Sequence, residues 1–342
     1  MQSSTSLHAL AAVAVAMFAL SACAKEPAIA LPKINLEASR VMIAGLSSGA
    51  YMATQAHVAL SDKIHGAALV AGGPYGCADG KLDVALSSCM KGEPAIDVSA
   101  LVAKAAARAG KGEIAALSNL ADDAVFVLHG SKDETVSESV SRASADFYEG
   151  LAKDQNGVGG MTVHWDAARA FPHLFPVASG EAACDKSEAP YIGNCGYDAA
   201  EAIFINLYGA APAAASEATG TIAVFDQASY AVADKKTHMA DQGEIYVPKS
   251  CANGEPCGVL IALHGCQQNR DAVGEAFVKG SGFNRWADVY HVVVLYPQAH
   301  ASLAPLNPKA CWDWWGYTGA DYDLRSGAQI AWLSNALDAL KR

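Results

Sequence analysis

Gly45-Leu46-Ser47-Ser48-Gly49 is the stretch of this chain best suited to covalent chemistry. It follows the apolar run Arg40–Ala44 and precedes a helix-compatible segment, Ala50–Leu60. A Ser flanked by small residues between a strand and a helix can occupy a strained turn that lifts its hydroxyl clear of the sheet, where it can attack an acyl carbon. A Gly/Ser turn that merely caps a helix has the same composition. The flanking elements favour the nucleophile, Ser47. Such a hydroxyl needs a general base, an acid that orients the base, and amide donors for the oxyanion.

The partners have candidates downstream. Ala124–Leu128 reads as a buried strand and runs into His129-Gly130-Ser131-Lys132-Asp133-Glu134. Asp133, on a polar turn past the carboxyl end of that strand, is the expected acid. Asp122, Asp123 and Glu134 are nearby competitors, and a solvated turn or helix cap is the plain alternative. Met161–Trp165 alternates like a strand and leads into Phe171-Pro172-His173-Leu174-Phe175-Pro176. Prolines on both sides keep His173 in irregular backbone, which suits a base that must reach over to the Ser. His164, on the strand itself, is expected to be packed or on the surface. The amide of Ser48 would be the first oxyanion donor. A second oxyanion loop is indicated where the buried strand Gly258–Leu263 meets His264-Gly265-Cys266, well after the Ser, Asp and His.

These residues must be held by alternating strands and helices, which specifies an α/β fold with a mostly parallel sheet and helices on both faces. The order Ser, acid, His is that of α/β-hydrolases, but there the oxyanion strand precedes the elbow. Circular permutation accounts for the inversion. After His264-Gly265 come a helix-like stretch, 280–288, a strand, Val292–Tyr296, and an amphipathic helix over 326–340. Its apolar positions Ile330, Leu333, Leu337 and Leu340 recur at helical spacing and require a sheet to cover. In the usual order such a helix leads straight into the elbow strand.

Gly45–Ala53, Ala71-Gly-Gly-Pro-Tyr-Gly-Cys77, Gly130–Asp133, Phe171–Pro176, Ala262–Gln267, Trp286-Ala-Asp288, Leu295–Gln298 and Cys311-Trp-Asp-Trp314 occur in this order. Together they resemble the single-domain, circularly permuted poly(3-hydroxybutyrate) depolymerases of the fungal type, over about Leu36 to Leu340. The resemblance implies Ser47 as nucleophile, Asp133 as acid, His173 as base, the amides of Ser48 and Cys266 as oxyanion hole, and Trp314 as a polymer-contacting aromatic. It implies hydrolysis of polyester or oligoester through an acyl-enzyme, with no cofactor. Ala50 departs from the pattern, standing where a second Gly commonly follows the elbow. A feruloyl or acetyl-xylan-type carboxylesterase is the alternative within hydrolases. A non-catalytic, polymer-binding lipoprotein is the alternative of another class, disfavoured by the intact set of Ser, Asp and His.

The remaining features bound this reading. With 342 residues and 52% hydrophobic content, residues 25–342 can bury one large core, and the permuted order requires both halves to share a single sheet. The Ala-rich segment 209–220 reads as a surface linker between them. A net charge of −11 argues against nucleic acid and anionic membrane surfaces, and no protein partner is evident. Residues 1–24 carry an apolar run too short to span a bilayer and the small-residue site Ala22-Cys23-Ala24, as in an export signal, though no Lys or Arg precedes the run. Leu20-Ser21-Ala22-Cys23 also resembles a lipobox, so Cys23 is a candidate lipid anchor. The expected location is periplasmic, outer-membrane or secreted.

Setting Cys23 aside, eight cysteines remain, an even number that suits disulfides and leaves 105 connectivities open. Together with local spacing, the family pattern implies Cys77–Cys89, Cys184–Cys195, Cys251–Cys257 and Cys266–Cys311. No C-x-x-C or His-rich spacing suggests a metal, and Asp321 with Asp323 reads as a solvated turn rather than a calcium site. Trp312, Trp314 and Trp315 are candidate substrate contacts, with one or two of the rings expected in the core. Because no binding module follows Arg342, amorphous polymer and oligomers are expected to be cleaved faster than crystalline polymer.

Overall fold

A computed structural model describes residues 28–153 and 158–342. The expected export signal, including Cys23, lies outside the described residues. Ten strands form among them: β1 Leu36–Leu46, β2 Gly66–Val70, β3 Ala124–Gly130, β4 Thr162–Arg169, β5 Phe175–Val177, β6 Ile192–Asn194, β7 Thr221–Asp226, β8 Gln242–Val247, β9 Cys257–Leu263 and β10 Val292–Tyr296. Eight make one sheet in the order β4-β3-β2-β1-β9-β10-β8-β7, while β5 and β6 pair separately. From β4 to β10 the strands are parallel, and β8 and β7 join antiparallel.

β2, β9, β10 and the Val41–Leu46 half of β1 are apolar and buried because both their faces are covered, as parallel sheets require. In β1, Val41 and Ile43 pack with Val259, Ile261 and Leu263 of β9 in one core layer. The alternate residues Met42, Ala44 and Leu46 pack with Leu260 and Ala262 in the other. Helix α1, Ser48–Ala59, contributes to the first layer together with helices Val98–Gly110, Glu138–Lys153 and Ala328–Leu340. Ala199–Tyr208 and Phe283–Tyr290 contribute to the second. Every residue of α1 is buried, so the helix has no solvent face and its position is set from all sides.

The last helix buries Ile330, Leu333, Leu337 and Leu340, the stripe expected of it. Its end returns to the start of the chain: Ile34 N–H donates to Leu340 O at 2.9 Å, and Ile34 bridges Lys341. Segment 209–220 is irregular and largely exposed between the helix ending at Tyr208 and β7.

Two features depart from expectation. The sequence patterns single out neither β7 nor β8, which sit at one end of the sheet and mix apolar residues with polar ones such as Thr221, Gln242 and Glu244. Asp323 is not in a solvated turn: it is fully buried and paired with Arg108 at 2.6 Å, while Asp321 pairs with Lys235 at 2.6 Å. Among the described residues no three His, Cys, Asp or Glu side chains are grouped to hold a metal.

Candidate active site

The site gathers at the carboxyl ends of the parallel strands, where open α/β sheets place ligands. β1 runs into Ser47, which takes φ 55° and ψ −121°, a conformation costly for any residue but Gly. The turn is held by Ser47 N–H donating to Val70 O at 2.9 Å and by Ser47 O accepting from Ala50 and Tyr51 amides at 2.8 and 3.1 Å. Both flanking glycines are required by close approach. A Cβ on Gly45 would lie 2.2 Å from the Gly49 carbonyl carbon, and one on Gly49 would lie 2.4 Å from Leu263 O on β9. The methyl of Ala50, the residue that departs from the family pattern, is accommodated by Gly72, where a Cβ would approach it to 2.5 Å.

β3 and β4 deliver the other two groups. Asp133 Oδ2 lies 2.6 Å from His173 Nδ1, and the carboxylate has no solvent exposure. Its Oδ1 accepts from Thr135 and Val136 amides at 2.8 and 2.9 Å, so the acid is fixed by the turn it belongs to. Burial pushes this carboxyl up, but the His173 hydrogen bond and charge and the two amides outweigh it and hold it below the usual carboxylate range. Asp123 lies at the other end of β3 and bonds His57 Nε2 at 3.0 Å, and Glu134 is exposed. His164 is also exposed, with its Nδ1 2.7 Å from Asn206 Oδ1. Ser47 and His173 line the same cavity, about 460 Å³ in volume, together with Gly265, Cys266, Trp314 and Trp315.

β9 supplies the loop opposite. Gly265 and Cys266 face the cavity, and Cys266 is tied by a disulfide to Cys311 beside the Trp loop. The other bridges are Cys77–Cys89, Cys184–Cys195 and Cys251–Cys257, the same pairs the family resemblance implies. His264 is wholly buried, and burial pushes its imidazole down to about 4 despite the hydrogen bond to Gly265 O. Because the folded imidazole titrates below the ordinary value near 6.5, the unfolded chain takes up the proton first. The resulting stability is full above pH 6.5 and is lost as pH falls toward 4, on the order of 3 kcal/mol. Thermal melting of wild type and His264→Gln between pH 4 and 7 is expected to give a flatter pH slope for the variant. Parallel slopes would contradict this.

The three tryptophans have different roles. Trp312 is not a substrate contact: it is fully buried and does not line the cavity. Its backbone N–H donates to Ser48 Oγ at 3.3 Å and its indole N–H to His264 O at 3.0 Å, so it braces the elbow against the loop after β9. Trp314 lines the cavity with one face stacked on Tyr51, ring centroids 4.3 Å apart, and Trp315 meets it edge-on. The turn that presents them is organised by buried Asp313, whose carboxylate accepts from the amides of Gly316, Tyr317 and Thr318. Asp313 lies within the Cys311-Trp-Asp-Trp314 motif, but sequence alone gave it no role, since its signal is a set of backbone partners formed only on folding. Leu82, Leu86 and Leu306, all exposed, complete an apolar lining.

The family model described as Esterase PHB depolymerase matches residues 243–341. A polyhydroxybutyrate depolymerase of Talaromyces funiculosus is 34% identical over 93% of this chain and 94% of its own length. The chain belongs to the poly(3-hydroxybutyrate) depolymerase family. A poly(3-hydroxybutyrate) depolymerase of Delftia acidovorans is 35% identical over 96% of this chain, which spans 65% of that relative's length. The crystal structure of the depolymerase from Penicillium funiculosum superposes with a TM-score of 0.80 at 32% identity, covering 91% of this chain and 98% of that one. A Ser-to-Ala depolymerase variant in complex with an R3HB trimer superposes with a TM-score of 0.81 at 31% identity. The depolymerase family thus shares this sheet and its helices, an α/β-hydrolase-like fold.

Proposed function

We propose that this family member is a serine esterase that hydrolyses the ester bonds of poly(3-hydroxybutyrate) or its oligomers. The observation that carries the proposal is the 2.6 Å contact between Asp133 and His173 at the cavity that also holds the strained Ser47. His173 takes the Ser47 hydroxyl proton as the oxygen attacks the ester carbonyl. Asp133 keeps Nδ1 protonated and stabilises the imidazolium, and the amides of Ser48 and Cys266 receive the oxyanion. His173 then protonates the departing alcohol, and water, activated the same way, releases the hydroxy acid.

The substrate class follows from the lining: Trp314, Trp315 and the leucines offer apolar contacts to a chain of neutral ester units, and the structural neighbour is complexed with an R3HB trimer, a chain built of such units. Chain order, with the end of the last helix against the start of β1, supports a circular permutation within one domain, residues 25–342. Four disulfides support an oxidising, exported location. A lipid anchor at Cys23 would make it a membrane-tethered one.

Product analysis on amorphous poly(3-hydroxybutyrate), beside a feruloylated sugar, tests the assignment. Hydroxybutyrate release from the polymer is expected. Ferulate as the sole product would transfer the chain to the carboxylesterase alternative, and no hydrolysis of either would leave a binding protein. Trp314→Ala is expected to lower kcat/KM on hydroxybutyrate oligomers about tenfold, the scale of one aromatic contact, with a smaller effect on p-nitrophenyl butyrate. Equal losses on both would remove Trp314 from the substrate contacts.

A further inference from the structure

The loop after β9 presents two successive peptide groups, and each is gripped by one side chain. Gly265 N–H donates to Gln268 Oε1 at 2.8 Å, and Gln268 Nε2 donates in turn to the carbonyls of Pro190 and Tyr191 at 3.0 and 3.1 Å. The next peptide, Gly265–Cys266, is held at its oxygen. His264 Nδ1 lies 2.7 Å from Gly265 O, which also accepts a longer bond, 3.3 Å, from Gln268 N–H.

The imidazole has one tautomer that satisfies its surroundings. His264 Nε2 lies 3.0 Å from the backbone nitrogen of Ala299, and an amide N–H can only donate, so Nε2 must carry the lone pair. The proton is then on Nδ1, as the carbonyl facing it demands. Full burial keeps the ring neutral, and Trp312 packs against it with centroids 5.3 Å apart.

In a planar trans peptide the C=O and the following N–H point in opposite directions. Once Gly265 O is drawn toward His264, the Cys266 N–H must point away from it. Gly265 and Cys266 line the cavity with Ser47, and among the described residues no acceptor is paired with the Cys266 amide.

We propose that His264 is a positioning residue for ester cleavage: its Nδ1–H holds the Gly265 carbonyl so that the Cys266 amide on the same peptide faces the oxyanion that forms on attack by Ser47. The proposal rests on the esterase reading and on Cys266 as oxyanion donor. Asp133 orients the base through one imidazole, and His264 orients the electrophilic side of the site through another. Of the two protonation states of the ring, only the neutral imidazole offers the donor at one edge and the acceptor at the other that are needed here; the imidazolium has two donors.

Two variants separate these halves. His264→Asn places an amide nitrogen where Nδ1 was and retains the donor to Gly265 O. His264→Gln reaches the Nε2 position and retains the acceptor for Ala299 N–H. On p-nitrophenyl butyrate, His264→Gln is expected to lose about 10²–10³-fold in kcat, the scale of one oxyanion donor, with KM within about threefold. His264→Asn is expected to stay within about tenfold of wild-type kcat even where it melts lower than the Gln variant.

Activity that follows melting temperature across the pair, or a loss carried by KM, overturns the proposal. Wild type that neither turns over the ester nor reacts with a fluorophosphonate at Ser47 refutes the esterase reading instead. A further measurement needs no variant: in ¹⁵N-histidine-labelled wild type at neutral pH the proton of His264 is expected on Nδ1. A proton on Nε2 overturns the proposal.

Discussion

Ser47→Ala is expected to lower ester turnover by about 10⁴-fold or more with no loss of thermal stability, as triad deletions do. The folding effect should be small because the elbow is fixed by backbone bonds and by Gly45 and Gly49, none of which involves the Ser47 hydroxyl. What remains is the binding and electrostatic contribution of the cavity. His173→Ala should be comparably damaging, since the hydroxyl then has no base. His164→Ala should leave turnover unchanged, because His164 is an exposed residue bonded to Asn206 rather than a cavity residue. Steady-state rates on p-nitrophenyl butyrate with purified variants decide the matter. Retention of more than about a tenth of the activity by Ser47→Ala would place the nucleophile elsewhere.

Asp133→Asn is expected to cost about 10⁴-fold in kcat for a different reason. The Asn oxygen can still accept from the Thr135 and Val136 amides, so the turn keeps its shape. Its NH₂ group then meets His173 Nδ1, where the native carboxylate accepts at 2.6 Å. Two donors cannot face one another, so the imidazole adopts the tautomer with its proton on Nε2 and presents no lone pair to Ser47. The loss should fall on kcat with KM little changed, and the melting temperature should remain near wild type. A variant as active as wild type would mean that Asp133 does not set the tautomer of His173.

Sequence alone determined what depended on local chemistry. The Gly-x-Ser-x-Gly pattern between a strand and a helix located the strained Ser47, because only small flanking residues tolerate that approach. Apolar runs identified β1, β3, β9 and β10, since strands covered on both faces cannot hide polar residues. A polar turn at the end of β3 singled out Asp133, and the prolines around the irregular segment after β4 singled out His173.

Tertiary structure alone decided matters of partnership. At one end of the sheet, β8 pairs antiparallel with β10 and β7 with β8, and since polar and apolar residues mix in both without a clean period, that pairing could be settled only by the neighbour that accepts them. Trp312, Trp314 and Trp315 are indistinguishable by type, yet one braces the elbow and two line the cavity, a division set by partners distant in the chain: His264 O for the Trp312 indole and the Tyr51 ring for Trp314. His264 is a Gly neighbour in the sequence, and its tautomer exists only because Ala299, thirty-five positions later, presents an amide to its far nitrogen. Hydrogen bonds between distant segments carry no period or composition, so they become legible only once the sheet has brought those segments together.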